Sequence, residues 1–308
     1  MNLSKILSKD NFISGEEIAA KLKVSRAAVH KHIDSLRKTG YAIEGKKNLG
    51  YKIISSPDLI DPDELKTGIV SRVVYKTECA STQLMAKELA DKGAPEGVLV
   101  VAEKQTGGYG RLQRKWESPR GGIWFSLLVR PQIEPERTPQ ITLIASLSIS
   151  RAIDKLYGVK PAIKWPNDIL IGSKKLCGIL TEMSAEVGRT NWAVIGAGIN
   201  ANNVLPASVK NIATSIALCA KTHIERTQLL REIINEFSKD YKLFIKEGFK
   251  PFRREYMGRL YYMDKPVRVS MRDHVIKGIA RSIDTDGYLI IERNGKNEKI
   301  ISGDVFLG

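Results

Sequence analysis

The run Ser55-Ser56-Pro57-Asp58-Leu59-Ile60-Asp61-Pro62 breaks the chain in two. Each proline fixes its own φ, lacks an N–H and pushes the residue before it out of helical geometry, so a regular element does not continue through both. The two sides also differ in charge. Residues 1–56 carry eleven Lys and Arg against five Asp and Glu, so six of the chain's fifteen excess positive charges sit in under a fifth of its 308 residues. Such a surplus suits a polyanionic partner, nucleic acid or nucleotide, and says little about fold.

Several classes drop out on residue usage. Cys79, Cys177 and Cys219 are odd in number and far apart, which excludes a disulfide framework and a zinc ribbon. His30, His32, His223 and His274 show no metalloprotease spacing. The longest uncharged stretch, 190–209, contains four Asn and Pro206 and cannot be a membrane helix. No apolar segment of signal-peptide type follows Met1-Asn2-Leu3-Ser4-Lys5, so cytoplasmic residence is expected.

The basic N-terminal stretch reads as a winged helix-turn-helix. Ser14-Gly15-Glu16-Glu17 has capping-box spacing, and Ile18, Ala19 and Leu22 give the helix it opens a buried face. After the turn Lys23-Val24, Ser25 can cap a second helix over 26–38, with Ala27, Ala28, Ile33 and Leu36 inward and Arg26, His30, Lys31, His32 and Arg37 outward. Two alternating strands then flank Lys46-Lys47-Asn48, a basic wing. Ser25, Arg26, His30, Lys31, Lys46 and Lys47 are the candidate DNA contacts, because a basic helix face and hairpin tip can position phosphates and enter a major groove. A plain three-helix interaction domain is the alternative.

Beyond the break, 98–102 and 124–129 read as strands, 141–156 as a helix, and 228–246 as a longer helix opened by Thr227 and closed by Gly248. From 265 onward short strands alternate with turns, Asp286-Gly287 and Asn294-Gly295 being hairpin signals. After the strand 98–102 comes Gln105-Thr106-Gly107-Gly108-Tyr109-Gly110-Arg111-Leu112-Gln113-Arg114-Lys115-Trp116. Its glycines let backbone approach a ligand, Arg111, Arg114 and Lys115 add positive charge, and Trp116 adds a stacking surface; a nucleotide fits that make-up, as does a flexible basic surface loop. A Walker A loop is absent. Gly196-Ala197-Gly198-Ile199-Asn200-Ala201 matches the dinucleotide fingerprint, but no helical period follows it, so the Rossmann reading fails.

Three further segments accompany that loop: Lys164-Trp165-Pro166-Asn167-Asp168, Lys175-Leu176-Cys177-Gly178-Ile179-Leu180 and Gly196-Ala197-Gly198-Ile199-Asn200. In this order they resemble the catalytic core of the biotin–protein ligases, and with the N-terminal module nearly the whole chain resembles the bifunctional form that also represses a biotin operon. The resemblance implies an α+β architecture: a winged helix-turn-helix over 1–56, a linker over 57–66, a mixed-sheet, class II synthetase-like ligase core over 67–262, and an SH3-like β-barrel over 263–308.

It also implies a reaction. The biotin carboxylate attacks the α-phosphorus of ATP, giving biotinoyl-5′-AMP and pyrophosphate, and the acyl group then passes to a lysine of a biotin carboxyl carrier domain. Lys175 matches the family lysine between carboxylate and phosphate, and Arg111 the loop arginine that holds the adenylate. Ser81, Thr82, Gln83 and Gln105 fall on the ureido side, with Ser81 or Thr82 also a possible helix cap. Tyr109, Gly110 and Gly178 lie along biotin. Arg114, Lys115, Trp116, Asn167 and Asn200 fall with Arg111 and Lys175 on the ATP side. Asp168 is the candidate ligand for Mg²⁺, or merely a turn brace. Tyr109, Leu112 and Gln113 depart from the family's loop, where arginine, arginine and glycine are frequent. A homodimer bound to operator DNA is expected, with no membrane partner. A ligand sensor with a dead ligase core and a lipoate ligase remain the rival readings.

Overall fold

The computed structural model describes residues 3–38, 40–271 and 274–308, in two units, 1–59 and 60–308. In the first unit, α1 (Leu3–Ile6), α2 (Gly15–Leu22) and α3 (Arg26–Lys38) precede the hairpin of β1 (Ala42–Lys46) and β2 (Gly50–Ser55). Ser14 Oγ accepts the Glu17 N–H at 3.1 Å, and the Glu17 carboxylate turns to Lys21 at 2.7 Å. Ser25 Oγ likewise accepts the Ala28 N–H at 3.2 Å. Ile18, Val29, Ile33, Ile43 and Ile53 form the core with Leu3, Ile6 and Leu7. The inward face of α3 is therefore 29, 33 and 36; Ala27 is exposed, contrary to expectation, because the helix is rotated to bury the larger Val29.

The second unit begins with docked chain rather than free linker. Ile60 and Leu65 are buried, the Ile60 N–H reaches Glu103 Oε1 at 2.8 Å, and the Asp61 N–H reaches Thr227 Oγ1 at 3.0 Å. A seven-stranded sheet follows, in the order β3 (Arg72–Lys76), β4 (Val98–Ala102), β5 (Ile123–Val129), β9 (Arg189–Ile199), β8 (Lys174–Glu186), β7 (Asp168–Ile171), β6 (Ala162–Lys164). Only β3 and β4 run parallel. The unbroken apolar run of β4 reflects cover on both faces. Leu99 and Val101 join α5 (Pro139–Tyr157) and α7 (Arg226–Glu247) in the main core, while Val98 and Val100 face α4 (Thr82–Asp91) on the other side. Both Gly196 and Gly198 lie inside β9, hydrogen-bonded to β5 and β8, which is incompatible with a dinucleotide-binding turn.

Helix α7 starts at Arg226 with Glu225 before it; Thr227 is not the cap, its hydroxyl being taken by Asp61. Beneath its start, Arg226 Nη2 meets Glu103 Oε2 at 2.8 Å with both side chains fully buried. After α6 (Ile216–Ala220), α7 and α8 (Arg253–Gly258), a five-stranded antiparallel sheet closes the chain. Its order is β13 (Lys296–Ile300), β12 (Leu289–Arg293), β11 (Val275–Ile283), β10 (Pro266–Ser270), β14 (Asp304–Leu307). Asn294 and Gly295, at φ 51° and 74°, make the two-residue turn that pairs Arg293 with Lys296.

Candidate functional site

The glycine loop folds into a small hairpin. The Trp116 N–H donates to Gly108 O and the Gly110 N–H to Arg114 O, both at 2.9 Å. A Cβ on Gly108 would lie 2.7 Å from Trp116 O, so only glycine permits the closure. At the tip Leu112 and Gln113 are both left-handed, at φ 56° and 57°. This hairpin, the start of α4, and strands β7, β8 and β9 enclose a cleft of about 370 Å³. Every residue singled out in the ligase core lines it: 81–83, 105, 109–111, 114–116, 167, 168, 175, 178 and 200.

One end is neutral and hydrogen-bonded. Gln105 Oε1 accepts from the Thr82 N–H at 2.8 Å and from Thr82 Oγ1 at 3.1 Å, and Gln105 Nε2 donates to Ser118 Oγ at 2.9 Å. Ser126 Oγ is 3.0 Å from Thr82 Oγ1 and donates to Gln83 Oε1 at 3.0 Å. Ser81 Oγ caps α4 through the Leu84 N–H at 3.5 Å. The floor is glycine main chain on which the Trp116 ring packs. Gly178 and Gly198 face each other across β8 and β9, and a Cβ on Gly198 would lie 2.3 Å from Trp116 Nε1. That indole N–H is buried against Gly198 without an acceptor.

The other end holds the charges. Lys175 Nζ lies 2.8 Å from Asp168 Oδ1, off line for a hydrogen bond but close enough for an ion pair, and 5.1 Å from the centre of the Trp116 ring. Arg111 Nη1 donates to Asn167 Oδ1 at 3.1 Å and lies 3.4 Å from Asp304 Oδ1, whose other oxygen takes Arg114 at 2.7 Å. Lys115 pairs with Glu117 at 2.7 Å. The cleft thus supplies counter-ions to its own cations, with which an incoming polyanion would have to exchange. Asn200 is buried and accepts from Asn203 Nδ2 at 3.1 Å. Among the described residues no three His, Cys, Asp or Glu side chains converge as a metal site, and Asp168 already faces Lys175. The donors present do not build a resident Mg²⁺ site.

In the first unit Ser25, Arg26, His30, Lys31, Lys46 and Lys47 are exposed. The structure ties several of them down. His30 Nδ1 is 2.8 Å from Tyr51 Oη, which joins α3 to the wing, and Arg26 reaches Glu16 at 3.4 Å. Lys46 pairs with Glu44 at 3.3 Å and covers the Phe12 ring at 5.0 Å.

Residues 2–52 match the HTH domain family, 74–200 the Biotin/lipoate A/B protein ligase family, and 262–308 the Biotin protein ligase C terminal domain. Over 308 residues the chain is 41% identical to "Bifunctional ligase/repressor BirA" of Bacillus subtilis, covering 97% of this chain and 95% of that one. The chain belongs to the biotin protein ligase family. It is 29% identical to the Escherichia coli protein described by the same words, over 100% of this chain and 96% of that one. Among solved structures, the biotin protein ligase of Aquifex aeolicus in complex with biotin and ATP superposes with a TM-score of 0.68 at 28% identity, covering 77% of this chain and 99% of that one. The fold expected from the sequence, helix-turn-helix, ligase core and C-terminal β-domain, is the fold observed.

The ligase cleft contains residues the sequence did not flag. Asp304 arrives from β14, and Gly303 O accepts from Arg111 at 3.4 Å, across a separation of 192 positions that leaves no local signal. Beside the cleft rather than in its lining, Lys164 lies over the Phe306 ring, and burial lowers its ammonium pKa, with Asp168 opposing and Lys175 reinforcing the shift. The apolar side chains of Leu205, Val209 and Ile212 also line the cleft, and the only signal in the sequence was apolar residues placed in a Pro- and Asn-containing stretch without helical or strand period.

Proposed function

We propose that the chain activates biotin with ATP, transfers it to a lysine of a biotin carboxyl carrier domain, and represses transcription as a biotin-responsive homodimer on operator DNA. The observation that carries the ligase half is the joint presence of Lys175, Arg111, a glycine hairpin and a neutral hydrogen-bonded pocket around one cleft. A ureido ring is polar and uncharged, and suits the Thr82, Gln83 and Gln105 end. Family membership favours biotin over lipoate, and the intact cation set favours a working ligase over a sensor.

In the first step a biotin carboxylate oxygen attacks the α-phosphorus, and the bond to the bridging oxygen of pyrophosphate breaks. Bringing two anions together is the difficulty, and Lys175 with Arg111 offsets the charge that accumulates. Trp116, Arg114, Lys115, Asn167 and Asn200 hold the nucleotide side. In the second step the acceptor lysine's amine attacks the acyl carbon and AMP leaves. Mg²⁺, in this reading, enters with the nucleotide, held by phosphate oxygens and water rather than by a protein cage. Arg111→Ala is expected to speed dissociation of biotinoyl-5′-AMP roughly 10- to 100-fold, the worth of a charge-assisted contact, read by rapid dilution of the loaded protein.

The repressor half rests on the basic face of α3 and the wing. Lys46→Ala combined with Lys47→Ala is expected to lower the slope of log affinity against log salt by about two, roughly 0.9 for each lost phosphate contact. One assay tests the ligase half: the protein with ATP, Mg²⁺, carrier domain and either biotin or lipoate. Labelled carrier with biotin alone supports it. Labelling by lipoate overturns the substrate, and operator binding without any labelling overturns the enzyme.

A further inference from the structure

Among the side chains expected to point outward from α3, His30 and Arg37 are engaged within the unit itself. They lie seven positions apart, two helical turns, and therefore share one face of the helix. Each holds one strand of the wing. Arg37 Nη2 donates to Ile43 O on β1 at 2.9 Å. Tyr51 Oη on β2 lies 2.8 Å from His30 Nδ1 and 3.2 Å from His30 Nε2, with the two rings edge to face at 84°. Both imidazole nitrogens thus look toward the one phenol oxygen, and the polar edge of the ring is turned to the wing. The backbone prepares this contact. Tyr51 exchanges two main-chain hydrogen bonds of 2.9 Å with Ile13, ahead of α2, and its partner across the hairpin is Gly45. A Cβ on Gly45 would lie 3.3 Å from the Tyr51 ring, so a glycine there leaves the ring its room.

We propose that His30 and Tyr51 are positioning residues of the repressor rather than readers of DNA: their bond, with Arg37 as a second point, fixes the angle between α3 and the wing. The inference rests on the repressor reading for its DNA, but the brace can also be tested without DNA. Two attachments about 10 Å apart along the helix, at about 1.5 Å per residue, stop the hairpin from pivoting where one would not. The angle matters because helix and wing address different parts of a duplex. With α3 in a major groove, Lys46 and Lys47 meet phosphates only if the hairpin stands at one inclination. A wing held at that inclination needs less of the binding energy for ordering. Contacts from α3 then fall to Arg26 and Lys31, both exposed.

The test uses the full chain with biotin and ATP, and a duplex that wild type enriches from a random-sequence pool. Tyr51→Phe keeps the ring and removes only the hydroxyl. It should weaken binding to that duplex about tenfold, the upper worth of one hydrogen bond, and flatten log affinity against log salt by about one to two as the wing lysines lose their phosphates. Lys46→Ala with Lys47→Ala should then add little in the Tyr51→Phe background. His30→Ala should reproduce the loss, and His30→Asn, whose amide can occupy the Nδ1 position, should restore most of it. Wild-type affinity and slope in Tyr51→Phe overturn the proposal. So does a His30→Ala protein that loses discrimination at a single base pair while Tyr51→Phe keeps it, because His30 is then a reader. Without DNA, the amides of Ile13 and Tyr51, which bond to each other's carbonyls, should exchange about tenfold faster in both Tyr51→Phe and His30→Ala. If wild type enriches no duplex, the repressor reading fails, while unchanged exchange at those two amides still overturns the brace.

Discussion

Lys175→Ala is expected to cut the rate of adenylate formation by about 10²–10³, the usual loss when a fixed group facing developing charge is removed. In the proposed reading the ammonium would lie at the junction of the two substrates' anionic groups, and Arg111 cannot take its place, being tied to Asn167 and Asp304. Pyrophosphate release in a single turnover reads the first step. Transfer from supplied biotinoyl-5′-AMP reads the second, and should fall less because the two anions are already joined. The substitution also strips Asp168 of its neighbouring cation. Lys175→Ala combined with Asp168→Asn separates the effects, since it removes the stranded charge and restores folding without restoring adenylation. Undiminished carrier labelling by Lys175→Ala removes this lysine from the chemistry.

The largest stability effect belongs elsewhere. Glu103 accepts from Tyr75 Oη at 2.9 Å and the Ile60 N–H at 2.8 Å, and faces Arg226 at 2.8 Å in full burial. Glu103→Ala deprives a dry guanidinium of its carboxylate. Removing one partner of a buried pair costs about 3–5 kcal/mol, against a total stability of roughly 5–15 kcal/mol for a domain. Denaturant unfolding monitored on residues 60–308 should show that drop. Changing both residues, Glu103→Leu with Arg226→Met, should recover much of it, which separates a stranded charge from lost packing.

How far the sequence carried follows from which signals are local. The caps at Ser14 and Ser25, the wing and the Asn294-Gly295 turn were legible because each is decided within a few residues. The cleft residues 81–83, 105 and 109–116 were legible as a resemblance, and their convergence with 167–200 follows from the sheet order that places β9 between β5 and β8. Thr227 misled because a tertiary partner, the Asp61 N–H, used the hydroxyl that local pattern assigned to a cap. Ala27 misled because a three- or four-residue period fixes a stripe but not its rotation, and Val29 outweighed it. Asp304 was invisible: only the folded chain brings β14 to the arginines. The pairing of Tyr109 with Glu182 was equally out of reach, since it depends on hairpin and strand meeting across 73 positions.

The facing glycines at 178 and 198 have a consequence for drug escape. A compound that displaced the Trp116 ring from that furrow would touch peptide atoms, which no missense change can rewrite. Resistance there would require planting a new side chain, and at 198 that evicts Trp116. The mutant would lose the native seat of that indole along with the inhibitor.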